Sequence, residues 1–243
     1  MAVNFWAQIL RTVFPLRDEC VCCGVPGEML CHHCRGKLHQ REPFACERCG
    51  RALGHTGKCE ACLQEKYLPL RGASAYTYQR SAIAITALKY RGAAELADIF
   101  ARDMAAAARA LPLEEVDAVI AVPMHFLRGI TRGYNQADLL ARKVASLLQL
   151  SYIPRMLRRK KYKPSMSRAL QDHGERSRWV AGVYDIGKGF RAVRCVLLVD
   201  DVLTSGATLS ECTRVLQAHG VQKIYALTAA AVAEDLAEKR RKP

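Results

Sequence analysis

Four C-x-x-C pairs, Cys20/Cys23, Cys31/Cys34, Cys46/Cys49 and Cys59/Cys62, follow one another near the start of the chain. Each such turn places two sulfurs on one side of a tight knuckle. Two knuckles together supply the tetrahedral four-sulfur set that zinc accepts, so eight thiolates make two sites. Pairing consecutive knuckles suits the short gaps, and a crossed pairing satisfies the same spacing. Redox centres and disulfides are the competing chemistries. A redox C-x-x-C normally stands alone at a helix start, and no secretory signal precedes these cysteines, so a reducing compartment and a metal fit better. The segment has few large apolar residues and almost no core of its own. Metal binding would double as folding energy, which makes the zinc structural. His32, His33 and Cys22 lie beside these ligands and read as bystanders, because each site already has four thiolates.

A second chemistry-bearing stretch is Val196-Leu-Leu-Val-Asp-Asp-Val-Leu-Thr-Ser-Gly-Ala-Thr-Leu209. It reads as a buried strand ending in two acids, then a loop of small residues opening a helix. Backbone N–H groups and hydroxyls of Thr204, Ser205, Gly206, Ala207 and Thr208 would face a phosphate, helped by the positive end of the helix. Asp200 and Asp201 sit where an open α/β sheet holds its ligand. Their carboxylates would accept ribose hydroxyls or hold magnesium.

These residues need a scaffold, and the rest of the chain predicts an α/β one. The sequence has 243 residues, half of them apolar, enough for one ordinary core and a small module. From about Leu70 cysteine thins out and apolar runs alternate with amphipathic stretches. Strands are expected at 72–78, 116–122, 180–184, 195–199 and 223–229, and helices at 81–90, 94–110, 134–149 and 206–219. Phe5, Trp6, Ile9, Leu10, Val13 and Phe14 suggest an amphipathic helix over 1–16, and the expected divisions are 17–66, 70–233 and a basic tail at 234–243. No run reaches the roughly 18 apolar residues of a membrane span, so the expectation is a soluble, cytoplasmic chain. A formal net charge of +14 implies polyanionic company: nucleic acid, a phosphorylated small molecule or an acidic surface. Arg35, Lys37, Arg41, Arg48, Arg51 and Lys58 give the cysteine module a basic face, read equally well as nucleic-acid contact or as solvated surface.

The 196–209 segment resembles the motif by which type I phosphoribosyltransferases hold phosphoribosyl pyrophosphate (PRPP): hydrophobic run, acid pair and T-S-G-x-T loop in register. Two further stretches resemble the ComF family, which joins a cysteine module to this fold. Ala87-Leu-Lys-Tyr-Arg-Gly92 is similar to its L-K-Y-x-G segment. Val122-Pro-Met-His125, with Arg128 and Arg132-Gly-Tyr-Asn-Gln136, is similar to its V-P-x-H…R-G-F-N-Q stretch. The resemblance implies a type I phosphoribosyltransferase-like domain, Rossmann-like with a mostly parallel sheet, behind a double zinc ribbon of the four-cysteine type. It implies PRPP with Mg2+ bound by Asp200, Asp201 and the 204–208 loop. It also implies a pyrophosphate loop of Val122, Pro123, Met124 and His125, with Arg128 and Arg132 as charge partners suited to bidentate donation.

The basic run 158–178 resembles the mobile loop that closes over PRPP in such folds. Here the chain departs from the family, with Arg168 and Trp179 where a Gln and an Asn are expected. A groove for single-stranded nucleic acid, with Trp179 or Tyr162 as stacking surfaces, is the rival reading of that stretch. Thr204 stands where purine-type transferases carry an acid, which argues against purine salvage. Three functions follow from the resemblance. The first is uptake and handling of single-stranded DNA alongside competence DNA-translocation proteins, with membrane association only through those partners. The second is transfer of ribose 5-phosphate to an amine or base. The third is a zinc-dependent scaffold with a regulatory PRPP site.

Overall fold

The computed structural model describes residues 19–38, 44–64, 69–90, 95–124, 134–160 and 179–234. The segments 1–16, 161–178 and 235–243, and with them the expected N-terminal helix, most of the basic loop and the tail beyond Glu234, lie outside the described residues.

The first ribbon ends in helix α1 (His32–Leu38), and the second holds the short pair β1 (Phe44–Ala45) and β2 (Ala52–Leu53) and the turn of helix α2 (Glu60–Gln64). The body follows as β3 (Arg71–Thr77), α3 (Tyr78–Tyr90), α4 (Leu96–Ala108), β4 (Ala118–Ala121), α5 (Gln136–Leu148), β5 (Leu157–Arg159), β6 (Tyr184–Ile186), β7 (Cys195–Leu203), α6 (Ala207–Ala218) and β8 (Lys223–Ala231). The main sheet runs β3-β8-β7-β4, parallel throughout, while β5 and β6 form a separate antiparallel pair.

A parallel sheet is buried on both faces, and the packing follows the two-residue period of its strands. Cys195, Leu197 and Val199 of β7 point to the layer holding α3, α4 and α5, with Phe100, Met104 and Leu140 fully buried there. Val196 and Leu198 point the other way, to Leu209, Cys212 and Leu216 of α6 and to Val183 and Tyr184. Burying both faces explains why β7 and β8 read as continuous hydrophobic runs.

Two sequence expectations move. The strand expected at 180–184 forms at Tyr184–Ile186, paired with Leu157–Arg159 at the start of the basic run. Strand β7 does not end before the acids but runs through them to Leu203, because β8 pairs Asp200 with Thr228 and Val202 with Ala230. No helix among the described residues is long and apolar enough to cross a membrane.

Candidate functional site

The eight cysteines collect into two sets, Cys20, Cys23, Cys31 and Cys34, and Cys46, Cys49, Cys59 and Cys62, the sulfurs of each set lying within 4.8 Å of one another. The pairing is therefore consecutive, and the crossed arrangement is excluded. A tetrahedral site with zinc–sulfur bonds of about 2.3 Å needs sulfurs about 3.8 Å apart. The Cys23–Cys31 and Cys49–Cys59 separations are 3.7 and 3.6 Å, so the donor sets fit zinc. His32, His33 and Cys22 belong to neither set. Amides point at the sulfurs, as knuckles require: Cys31 N–H donates to Cys20 Sγ at 3.4 Å and Cys59 N–H to Cys46 Sγ at 3.3 Å. Burial opposes ionisation of Cys20, yet the amides of Cys31, Cys22 and Cys23 outweigh it and bring its thiol down to about 6.

Both ribbons are seated on the body. Cys20, Leu30 and Leu38 of the first join the helical layer of the core, and Arg35 donates to Asp103 Oδ1 at 2.7 Å while Tyr76 Oη donates to the other oxygen of that carboxylate. The second ribbon meets β3 backbone to backbone. Gly50 has φ +72°, and a Cβ there would lie 2.7 Å from the carbonyl oxygen of Gly72, so a glycine is required on both counts. Arg51, expected on a basic face open to nucleic acid or solvent, is instead buried and donates through Nη2 to the Thr204 carbonyl of the body.

The candidate ligand cradle, the acid pair with the 204–208 loop, lies at the carboxyl ends of β4 and β7. Those strands are neighbours, and Val122 N–H donates to Val199 O at 2.9 Å, so Val122, Pro123 and Met124 leave the sheet beside the acid pair. Gly206, with φ +87°, turns the chain from β7 into α6, and Ser210 N–H donates to its carbonyl at 2.8 Å. Ser205, Gly206 and Ala207 are buried beneath the surface, Asp200, Asp201 and Thr208 are half-buried at its edge, and Thr204 is exposed. The acid pair and the N-terminus of α6 are thus the two ends of one strand–loop–helix turn.

Three stretches distant in sequence converge here. Lys89, at the end of α3, pairs with Asp201 Oδ2 at 2.8 Å. Tyr134 Oη donates to the Leu88 carbonyl at 2.6 Å, tying the G-Y-N-Q stretch to the same helix end. Asn135 caps α5 by accepting from Ala137 N–H at 3.2 Å, and its Nδ2 donates to the Val122 carbonyl at 3.1 Å. One amide side chain thus starts a helix and fixes the turn after β4. Burial, reinforced by the charge of Asp201, pushes Asp200 up to about 7.

Sequence reasoning found the acids and the loop but missed Tyr184. This buried side chain at the start of β6 faces Thr208 and Asp200, and the Arg159 guanidinium lies 5.7 Å from its ring centre. The antiparallel pair thus carries the stem of the basic stretch to the cradle, and no sequence signal marks that contact. His125, Arg128, Arg132, Tyr162 and Arg168 lie outside the described residues; Trp179 is described and half-buried.

Comparison with known proteins finds a ribbon part and a transferase part in the same order. The double zinc ribbon domain matches residues 9–63, and the phosphoribosyl transferase domain matches residues 91–243. Competence protein F of Haemophilus influenzae is 29% identical, the match covering 80% of this chain and 93% of that protein. Competence protein ComFC of Bacillus subtilis is 26% identical over 80% of each chain. DNA utilization protein YhgH of Salmonella typhi is 28% identical over 80% of this chain and 87% of its own.

Proposed function

Because the chain belongs to the phosphoribosyl transferase domain family, in the ComF form that sets a double zinc ribbon ahead of that domain, we propose that it binds PRPP with magnesium and serves the uptake and handling of single-stranded DNA. The observation that carries the first half is the convergence of Lys89, the Asp200–Asp201 pair and the Gly206 turn at the carboxyl edge of one parallel sheet. In this reading Thr204, Ser205, Gly206, Ala207 and Thr208 receive the 5-phosphate through backbone N–H groups and hydroxyls at the start of α6. Asp200 and Asp201 accept the ribose hydroxyls, and Val122, Pro123 and Met124 border the pyrophosphate, with His125, Arg128 and Arg132 following in sequence. Magnesium, when bound, neutralises pyrophosphate oxygens, and Lys89 is the resident cation that balances Asp201 without it.

The names of the relatives support the second half, as does the net charge of +14, which suits a polyanion. In this reading the basic run 158–178 contacts the strand, and its partners are the proteins that translocate DNA. Two zinc–thiolate sites fit a reducing cytoplasm. The proposed divisions are 17–66 for the ribbons and 70–233 for the PRPP-binding domain.

Calorimetric titration of Mg·PRPP into the full chain and into Asp200→Asn/Asp201→Asn, each with and without single-stranded DNA, tests this reading. The expected result is binding to the parent that is lost in the double variant, and DNA binding that weakens steeply with salt. No heat on adding PRPP to the parent would reject the PRPP site.

A further inference from the structure

Arg51 belongs to the second ribbon by sequence and to the phosphate loop by contact. It is 8% exposed, and its guanidinium faces Cys49, Cys59 and Cys62 on one side while donating to the Thr204 carbonyl on the other. A crevice of about 20 Å³ separates the two modules at this point, lined by Cys49, Arg51 and Cys62 from the ribbon and by Leu203, Ser205 and Gly206 from the loop. That leaves room for about one water molecule, so the contact is close to dry.

Two physical consequences follow. A zinc ion with four thiolates carries a net double negative charge. Set against a loop built to receive a phosphate, across a contact with room for about one water, that charge would oppose the ligand, and one buried guanidinium between them offsets it. The second consequence is geometric. In a trans peptide the C=O and N–H point in opposite directions, so fastening the Thr204 carbonyl to the ribbon turns the Ser205 N–H away from it. The first amide of the loop is thereby oriented before any ligand arrives. The Gly50–Gly72 backbone contact sets the distance at which the ribbon sits, and so the reach of Arg51.

We infer that Arg51 is a positioning residue for the phosphate loop: through this guanidinium the second zinc ribbon holds the Thr204–Thr208 backbone ready for an anion, and affinity for a pyrophosphate-bearing ligand depends on it. The inference rests on the PRPP reading for its ligand but not for the bracing itself.

The test compares the full, zinc-loaded parent chain with Arg51→Ala and Arg51→Lys in three measurements. These are zinc content, hydrogen exchange of amides 203–208 without ligand, and calorimetric binding of Mg·PRPP. The expected result is two zinc ions in every protein, with loop exchange faster and PRPP binding weaker in Arg51→Ala, each by about tenfold or more, the scale of one lost charge-assisted hydrogen bond. Arg51→Lys, which keeps a charge and a donor, recovers most of both. If Arg51→Ala releases zinc, Arg51→Gln takes its place, keeping a donor without the charge. Unchanged loop exchange in a zinc-replete variant overturns the inference whatever PRPP does. A parent that ignores PRPP overturns the site reading alone, and the exchange comparison still decides the role of Arg51.

Discussion

Asp200→Asn should stabilise the ligand-free protein at alkaline pH while weakening its binding of PRPP. The side chain lies in β7 beside Asp201, and burial, aided by that neighbouring charge, lifts its folded-state value from 3.8 to about 7. A carboxyl raised on folding holds its proton more tightly in the native chain than in the unfolded one. Its contribution is therefore fully present below 3.8 and is lost as pH rises through about 7.

Between about pH 5.5 and 7 the unfolded chain has already released this proton and the folded chain has not, so stability falls by 1.36 kcal/mol per unit, or about 2 kcal/mol in all. Above that range the loss is complete. Asparagine mimics the protonated acid at every pH. The stability difference between Asp200→Asn and the parent should therefore grow by about 2 kcal/mol from about pH 5.5 to about pH 8.5, and subtracting one protein from the other cancels the groups that do not interact with this position. Urea denaturation of both proteins at the two pH values, zinc present throughout, measures it. A difference that stays flat across that range, or a variant less stable than the parent at the alkaline end, would refute the assignment of a half-buried, proton-holding acid at this position. With Asp200 accepting a ribose hydroxyl, PRPP binding falls in the same variant.

Other outcomes follow from the same geometry. Lys89→Ala removes the cation that pairs with Asp201 and lowers Asp200, so the Asp200 carboxyl should titrate at still higher pH, as read by carbon NMR; an unchanged or lower value would place Lys89 outside the site. Chelating zinc should abolish amide protection across 20–62 while protection persists in the centres of β7 and β8, which α4, α5 and α6 also cover; protection retained in the ribbons after metal removal would contradict a structural role for the metal.

Much of the cradle was legible because its signals are local. A hydrophobic run, an acid pair and a small-residue loop must stand in register within one strand, turn and helix, and sequence spacing alone carries that register. The same holds for the knuckles, since a C-x-x-C turn is complete within four residues. The extent of β7 was not legible. Asp200 and Asp201 disfavour strand on their own, and only pairing with Thr228 and its neighbours in β8 keeps them extended. Strand β5 was hidden for a similar reason. Leu157, Arg158 and Arg159 form a strand only because Tyr184, Asp185 and Ile186 lie opposite, an antiparallel partner more than twenty residues away.

The sequence by itself determined that this chain holds two four-sulfur metal sites and a strand with a carboxylate pair followed by a small-residue loop and a helix, because those features depend on residue types at short, fixed spacing. Tertiary structure alone decided which knuckles share a metal, that Lys89 meets Asp201, and that Arg51 leaves the basic surface to hold Thr204. Each of these joins groups whose separation in the chain leaves their separation in space undetermined. Packing within each ribbon, of α3 on the sheet, and of the second ribbon on the loop brings them within a few ångströms.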